Sequence, residues 1–140
     1  MTREGFAFST KFKVRYAEID GQKVVFNSRY LEYADVAITE YWEWADIASL
    51  GEIWRGMEFH VRRAEVDYLK PFVLGHEVEA FVRTESVGRT SLVTYFELAE
   101  AATGDLHTRI SMVSVNVDLV TGRPQPIPEQ VRAFFEAIDR

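Results

Sequence analysis

The chain has 140 residues, of which 47% are hydrophobic and 14% aromatic, enough for one domain with a real core and too apolar for a disordered protein. Sixteen Lys and Arg stand against 22 Asp and Glu, a net charge of −6, with Arg62-Arg63 the only adjacent basic pair, which argues against a nucleic-acid surface. The sequence has no cysteine, so disulfide scaffolds, thiolate zinc sites and thiol catalysis are excluded, and with neither a membrane-length apolar run nor a secretory segment at the N-terminus, a cytoplasmic chain is expected.

From position 11 onward, residues about 7–17 alternate Phe12, Val14 and Tyr16 with Lys11, Lys13 and Arg15, the period of a strand. Gly21-Gln22-Lys23 follows as a turn, and Val24-Val25-Phe26 as a short apolar approach to two N-cap residue types, Asn27 and Ser28. A helix is predicted from Ser28 to about Leu50, with one narrow polar stripe of Ser28, Glu32, Asp35, Thr39, Glu43 and Asp46. A helix so apolar around the rest of its girth should be wrapped by other elements. Gly51 should end it. Tyr33, Tyr41, Trp42 and Trp44 read first as core, since aromatics at helical spacing usually pack inside.

Four strand-like runs come next, over about 57–70, 76–86, 90–100 and 106–119. Their short Gly-containing connectors predict antiparallel hairpins. Pro128-Glu129 then opens a short amphipathic helix carrying Val131, Phe134, Phe135 and Ile138. Strands grouped after one helix imply an α+β fold with an antiparallel five-stranded sheet around a long central helix, in a single domain over 1–140. The outer face of such a sheet needs a cover, which points to a homo-oligomer.

The chemistry concentrates on Tyr16–Tyr30. Asp20 lies in a tight turn just ahead of the long helix, whose N-terminus offers unpaired N–H groups and a partial positive charge. A carboxylate beside an oxyanion holder suits ester or thioester cleavage. Read from the residues alone, Asp20-Gly21 is turn chemistry first. Glu18 stands two residues away and in an extended strand would face the same side, forming a carboxylate pair. His60, His76 and His107 have no histidine at metal-ligand spacing, so no metal is expected. Gly-x-Ser-x-Gly, P-loop and Gly-x-Gly-x-x-Gly motifs do not occur.

Tyr16, Glu18, Asp20, Val24-Val25-Phe26, Asn27 and Tyr30, with Asp67-Tyr68-Leu69-Lys70-Pro71, Gly75-His76, Gly88-Arg89-Thr90-Ser91, Thr121-Gly122-Arg123-Pro124 and Ile127-Pro128, carry a resemblance. In that order the chain resembles the hotdog-fold acyl-CoA thioesterases of the 4-hydroxybenzoyl-CoA thioesterase type, over about residues 8–138. The resemblance implies an acyl-CoA hydrolase, with acyl carrier protein esters as an alternative substrate. It implies a dimer whose two sheets join, with further pairing to a tetramer, and active sites at subunit boundaries. Asp20 matches the catalytic aspartate, acting as nucleophile or general base, and the Asn27 backbone N–H matches the oxyanion donor. Arg89 is nominated for the nucleotide of coenzyme A, which enters as part of the substrate, with no other cofactor.

Where such relatives carry Gly three residues after the aspartate, Lys23 stands here, so a different loop shape is expected, or a lysine reaching the carboxylate or a CoA phosphate. Thr90 replaces a basic residue after Arg89. Two rival readings remain at this stage. One is a hydratase or dehydratase, for which His60 is the candidate histidine. The other is a non-catalytic acyl-CoA-binding or oligomerisation module.

Overall fold

In the computed structural model, which describes residues 2–140, the long helix α1 spans Arg29–Trp44. Its buried side is Tyr30, Tyr33, Ala34, Ala37, Ile38 and Tyr41, positions that recur every three or four residues and so fall on one stripe. The polar residues Glu32, Asp35, Thr39 and Glu43 are exposed as expected, and Leu31, Val36 and Trp44 share their face. The helix stops earlier than its pattern predicts. Asp46 takes a left-handed φ of 59°, which breaks the helical path, and a separate 3-10 turn covers Ile47–Leu50. Gly51 then opens a one-turn helix α2, Glu52–Arg55, that the sequence pattern does not reveal.

Five strands form one antiparallel sheet: β1 (Phe8–Lys13), β2 (Phe59–Tyr68), β3 (Glu77–Val87), β4 (Ser91–Glu100) and β5 (Leu106–Asn116). Their spatial order is β1-β3-β4-β5-β2. Two of the expected hairpins form, β3–β4 and β4–β5. The third does not, because β2 pairs with β5 and the chain then crosses to the other side of the sheet to begin β3. A short Gly-containing connector serves a crossover as well as a hairpin, so spacing alone misleads here. The C-terminal helix α3 spans Glu129–Ala137.

Alternation along the strands decides which face meets the helix. Val78, Ala80 and Val82 of β3, Leu92, Phe96 and Leu98 of β4, and Ile110 and Met112 of β5 join the α1 stripe in one core. Aromatic pairs tie α1 to β1, with Phe12 on Tyr33 and Phe8 on Tyr41 at ring separations of 5.0 and 5.5 Å. The architecture is the α+β arrangement expected from the sequence, a five-stranded antiparallel sheet with a long helix and a short C-terminal one. Part of the outer face is covered within the chain. Phe6 packs on Phe81 and Tyr95, and the Arg83 guanidinium lies over both Phe6 and Tyr95.

Candidate active site

The first strand ends at Lys13, four residues short of the range its alternation predicts. Glu18 is the reason. Its carboxylate accepts the Arg15 backbone N–H at 2.7 Å and the Arg15 guanidinium at 3.0 Å, which folds Tyr16–Glu18 into a 3-10 turn. Tyr33 of α1 donates its hydroxyl to the same carboxylate at 2.8 Å. Burial alone would raise the Glu18 pKa, and these three donors outweigh it, holding the carboxyl below its ordinary value. Glu18 is thus a buried anchor for the turn and the helix. The idea of a Glu18–Asp20 carboxylate pair on an extended strand fails, because the backbone between them is not extended.

Asp20 follows in a turn closed by Asp20 N–H to Val24 O at 2.9 Å and Lys23 N–H to Asp20 O at 3.0 Å. One carboxylate oxygen accepts the Gln22 N–H at 2.8 Å, which fixes the side chain. The other has no hydrogen-bond partner among the described residues. Lys23 adopts a φ of 67°. A lysine therefore takes the left-handed shape that glycine accepts without strain. Lys23 does not approach the carboxylate: it forms no ion pair among the described residues, and its ammonium is open to solvent.

Asn27 and Ser28 precede α1 as predicted, but neither side chain caps it. Ser28 has helical dihedrals and makes no side-chain cap bond. The entry is held by backbone bonds, Arg29 N–H to Phe26 O and Tyr30 N–H to Asn27 O, and by Tyr68 O–H to Asn27 O at 2.9 Å. The Asn27 N–H has no acceptor among the described residues, as at any helix start.

Asp20 and Asn27 line one cavity of about 260 Å³ with Val24, Tyr30, Tyr68, Leu69 and Pro71 among its walls. Tyr30 is anchored there by accepting the Phe72 N–H at 3.0 Å, and desolvation raises its pKa, with the nearby Tyr68 and Asp20 adding to the effect. Lys70, also on the rim, lies 3.5 Å from Asp105. The wall at 68–71 comes from the far end of β2, and sequence reasoning gave those residues no site role. The Tyr68–Asn27 contact spans 41 positions, so no local pattern signals it.

Behind that wall, His107 is buried. Its backbone carbonyl accepts the Leu69 and Lys70 N–H groups, its ring stacks on Phe72 at 4.3 Å, and its Nδ1 is 3.2 Å from Pro71 O. His76 accepts the Val73 N–H on Nδ1, and its Nε2 is 3.2 Å from Glu100.

Arg89 is not brought to Asp20 within one chain. It lies in the β3–β4 turn, beside the Val115 end of β5, whereas Tyr68 pairs with Thr108. Those two points on β5 are seven residues apart, roughly 24 Å at strand rise. His60 stands at the same remote end, 3.6 Å from Glu58. Tyr33 and Tyr41 are core residues, as expected, while Trp42 is half-buried against Trp54 and Trp44 is largely exposed.

Residues 14–135 match the model of the thioesterase-like superfamily. Among solved structures, a thioesterase from Thermus thermophilus complexed with coenzyme A and Zn is 33% identical, with 98% of each chain covered and a TM-score of 0.81. A predicted thioesterase from Bacillus stearothermophilus is 27% identical over 92% of this chain and 93% of its own, at a TM-score of 0.79. A 1,4-dihydroxy-2-naphthoyl-CoA thioesterase from Synechocystis shares the fold at a TM-score of 0.82 and 18% identity, over 95% of this chain and 98% of its own. No curated protein matches the chain. The Thermus structure contains Zn, but among the described residues here no group of three or more His, Asp or Glu side chains converges as a metal site. No helix is long and apolar enough to cross a membrane.

Proposed function

The chain belongs to the thioesterase-like superfamily, and from that premise we propose that it hydrolyses an acyl-CoA to the free acid and coenzyme A. Asp20 is the nucleophile or general base, and the Asn27 main-chain N–H is the oxyanion donor. The observation that carries this reading is the shared cavity, lined both by Asp20, whose carboxylate keeps one oxygen without a hydrogen-bond partner among the described residues, and by Asn27 at the helix start, whose N–H has no acceptor among them. In one route the carboxylate attacks the thioester carbon, the thiolate leaves, and water cleaves the mixed anhydride. In the other it takes a proton from an attacking water. Both place negative charge on the carbonyl oxygen, where one donor is worth about 2.7–4 kcal/mol in the transition state.

The coenzyme A in the Thermus relative supports the substrate class, and the resemblance favours the 4-hydroxybenzoyl-CoA thioesterase type. The proposed assembly is a homodimer joined along β2, paired further into a tetramer. An edge strand of ten residues exposed along most of its length, with Val61 about half exposed, supports that choice. A two-fold axis runs the two β2 strands antiparallel, so the Arg89 end of one protomer nears the Asp20 end of the other. Arg89 then serves the nucleotide across the boundary. We assign residues 1–140 to one domain, of which Met1 lies outside the described residues. The proposed compartment is the cytoplasm, which suits a chain without cysteine.

The test is release of free thiol from short, long, branched and aromatic acyl-CoAs by the native protein and Asp20→Asn. The expected result is turnover by the native protein and a loss of kcat of about 10²–10⁴ in the variant. No release from any substrate would sink the hydrolase reading, and equal rates would clear Asp20 of a chemical role.

A further inference from the structure

The peptide unit between Pro71 and Phe72 is held from both sides. On one side, His107 of β5 places its Nδ1 3.2 Å from Pro71 O. A carbonyl oxygen only accepts, so this nitrogen carries the ring proton and donates it. On the other side, the Phe72 N–H donates to the Tyr30 hydroxyl at 3.0 Å. One hydrogen-bonded chain therefore runs from β5 through a single peptide to the first turn of α1. A donor on the carbonyl polarises the amide and strengthens its N–H as a donor in turn. His107, Phe72 and Tyr30 are all buried, so water competes little for these bonds.

The segment held this way touches both halves of the candidate site. The Phe72 carbonyl accepts the Val25 N–H at 2.9 Å, at the foot of the Asp20 turn, where Val25 bridges Ile19. Tyr68 donates to Asn27 O at 2.9 Å, and the Tyr30 N–H reaches the same carbonyl at 3.4 Å. Residues 68–72 thus tie the turn to the helix start, and the spacing of Asp20 from the Asn27 N–H depends on where they sit. No strand extends over this stretch, since β2 ends at Tyr68 and β3 begins at Glu77. His107 takes the place of a ladder. Its carbonyl accepts the Leu69 and Lys70 N–H groups, its Nδ1–H holds Pro71, and its ring stacks on Phe72 at 4.3 Å. Any residue at 107 offers the carbonyl, but the last two contacts need the side chain. The ring is set in turn by His76, which stands edge-on at 5.5 Å and is fixed by the Val73 N–H and by Glu100.

We infer that His107 is a positioning residue for the hydrolysis, whose ring sets the Asn27 N–H against Asp20 through the Pro71–Phe72 peptide and Tyr30. His107 does not line the cavity itself. This inference rests on the hydrolase reading above. The donor acts on charge that develops in the transition state, so displacing it lowers kcat and leaves KM.

Thiol release is measured on the native protein, His107→Phe, His107→Asn and, as a destabilised control, Asp139→Ala. Phenylalanine keeps the stack and removes the donor, whereas asparagine gives up the ring and keeps an N–H near the place of Nδ1. His107→Phe is expected to lose about tenfold to a hundredfold in kcat, with KM within about threefold of native. His107→Asn should recover most of that loss, and Asp139→Ala should keep the native kcat. A native kcat in His107→Phe overturns the inference, as does an equal loss in His107→Asn or in Asp139→Ala. Tyr30→Phe breaks the same chain at its other end, so joined to His107→Phe it should cost no more than the worse single variant. Additive losses overturn the shared path, and Tyr30→Phe with native kcat does so even where His107→Phe fails to fold. Amide exchange needs no turnover: the Phe72 and Val25 amides should exchange faster in His107→Phe, and unchanged rates overturn the inference. Absence of hydrolysis by the native protein removes the hydrolase reading, and exchange then decides alone whether the His107 ring holds this segment.

Discussion

Lys23 shows how one residue can be tolerated at a cost. Its φ of 67° puts a Cβ where the following carbonyl crowds it, at about 1–2 kcal/mol. Lys23→Gly removes that strain and adds unfolded-chain entropy, so a net gain of about 0.5–1 kcal/mol is expected in urea unfolding. Two buried groups set the pH response. The pKa of Glu18 is lowered in the fold from 4.5, so its contribution is complete above about 4.5 and is lost as pH falls through the lower folded value. The pKa of His107 is lowered from 6.5 by burial and by His76 and Lys70, with the Pro71 carbonyl and Glu100 opposing. The unfolded chain therefore protonates first, and stability present above about 6.5 declines as pH falls below it. Unfolding free energy measured from pH 7.5 to 3.5 should drop in two stages, and His107→Gln should abolish the upper one.

The elements were legible where one signal governed them. Period-two runs located the later strands to within a few residues, and the apolar stripe located α1, because both patterns report which face meets the core. What failed was decided by contacts that leave no periodic trace. The Glu18 carboxylate curled a stretch that alternates like a strand, and Asp46 ended a helix whose apolar pattern continues beyond it. α3 depends on a similar contact. Asp139, just past its end, accepts the Tyr41 hydroxyl at 2.8 Å and the Thr84 N–H at 3.0 Å, and Thr84 borders the register shift in β3. Asp139→Ala leaves the Thr84 N–H with only the Tyr41 hydroxyl at 3.1 Å. A loss of about 1–3 kcal/mol is expected in urea unfolding, with earlier amide exchange in α3 than in α1.

Taken whole, the molecule divides the sequence-predicted site residues between two ends. The residues alone read Asp20 as turn chemistry and Asn27 as a cap, and the resemblance singled them out; they line one cavity because a turn and a helix start adjoin in the chain. The opposite wall, Tyr68 to Pro71, could not be picked out, because sheet order rather than chain order brings it there. Arg89 lies at the other end of the sheet from Asp20, and that separation has a genetic meaning. If a working unit draws Asp20 from one subunit and Arg89 from the next, two broken proteins can repair each other. Asp20→Asn and Arg89→Glu chains, each poorly active alone, would on co-refolding give mixed dimers with one intact unit each, recovering about a quarter of native activity at low substrate. Activity no greater than the mean of the two parents would mean that each chain works with its own residues.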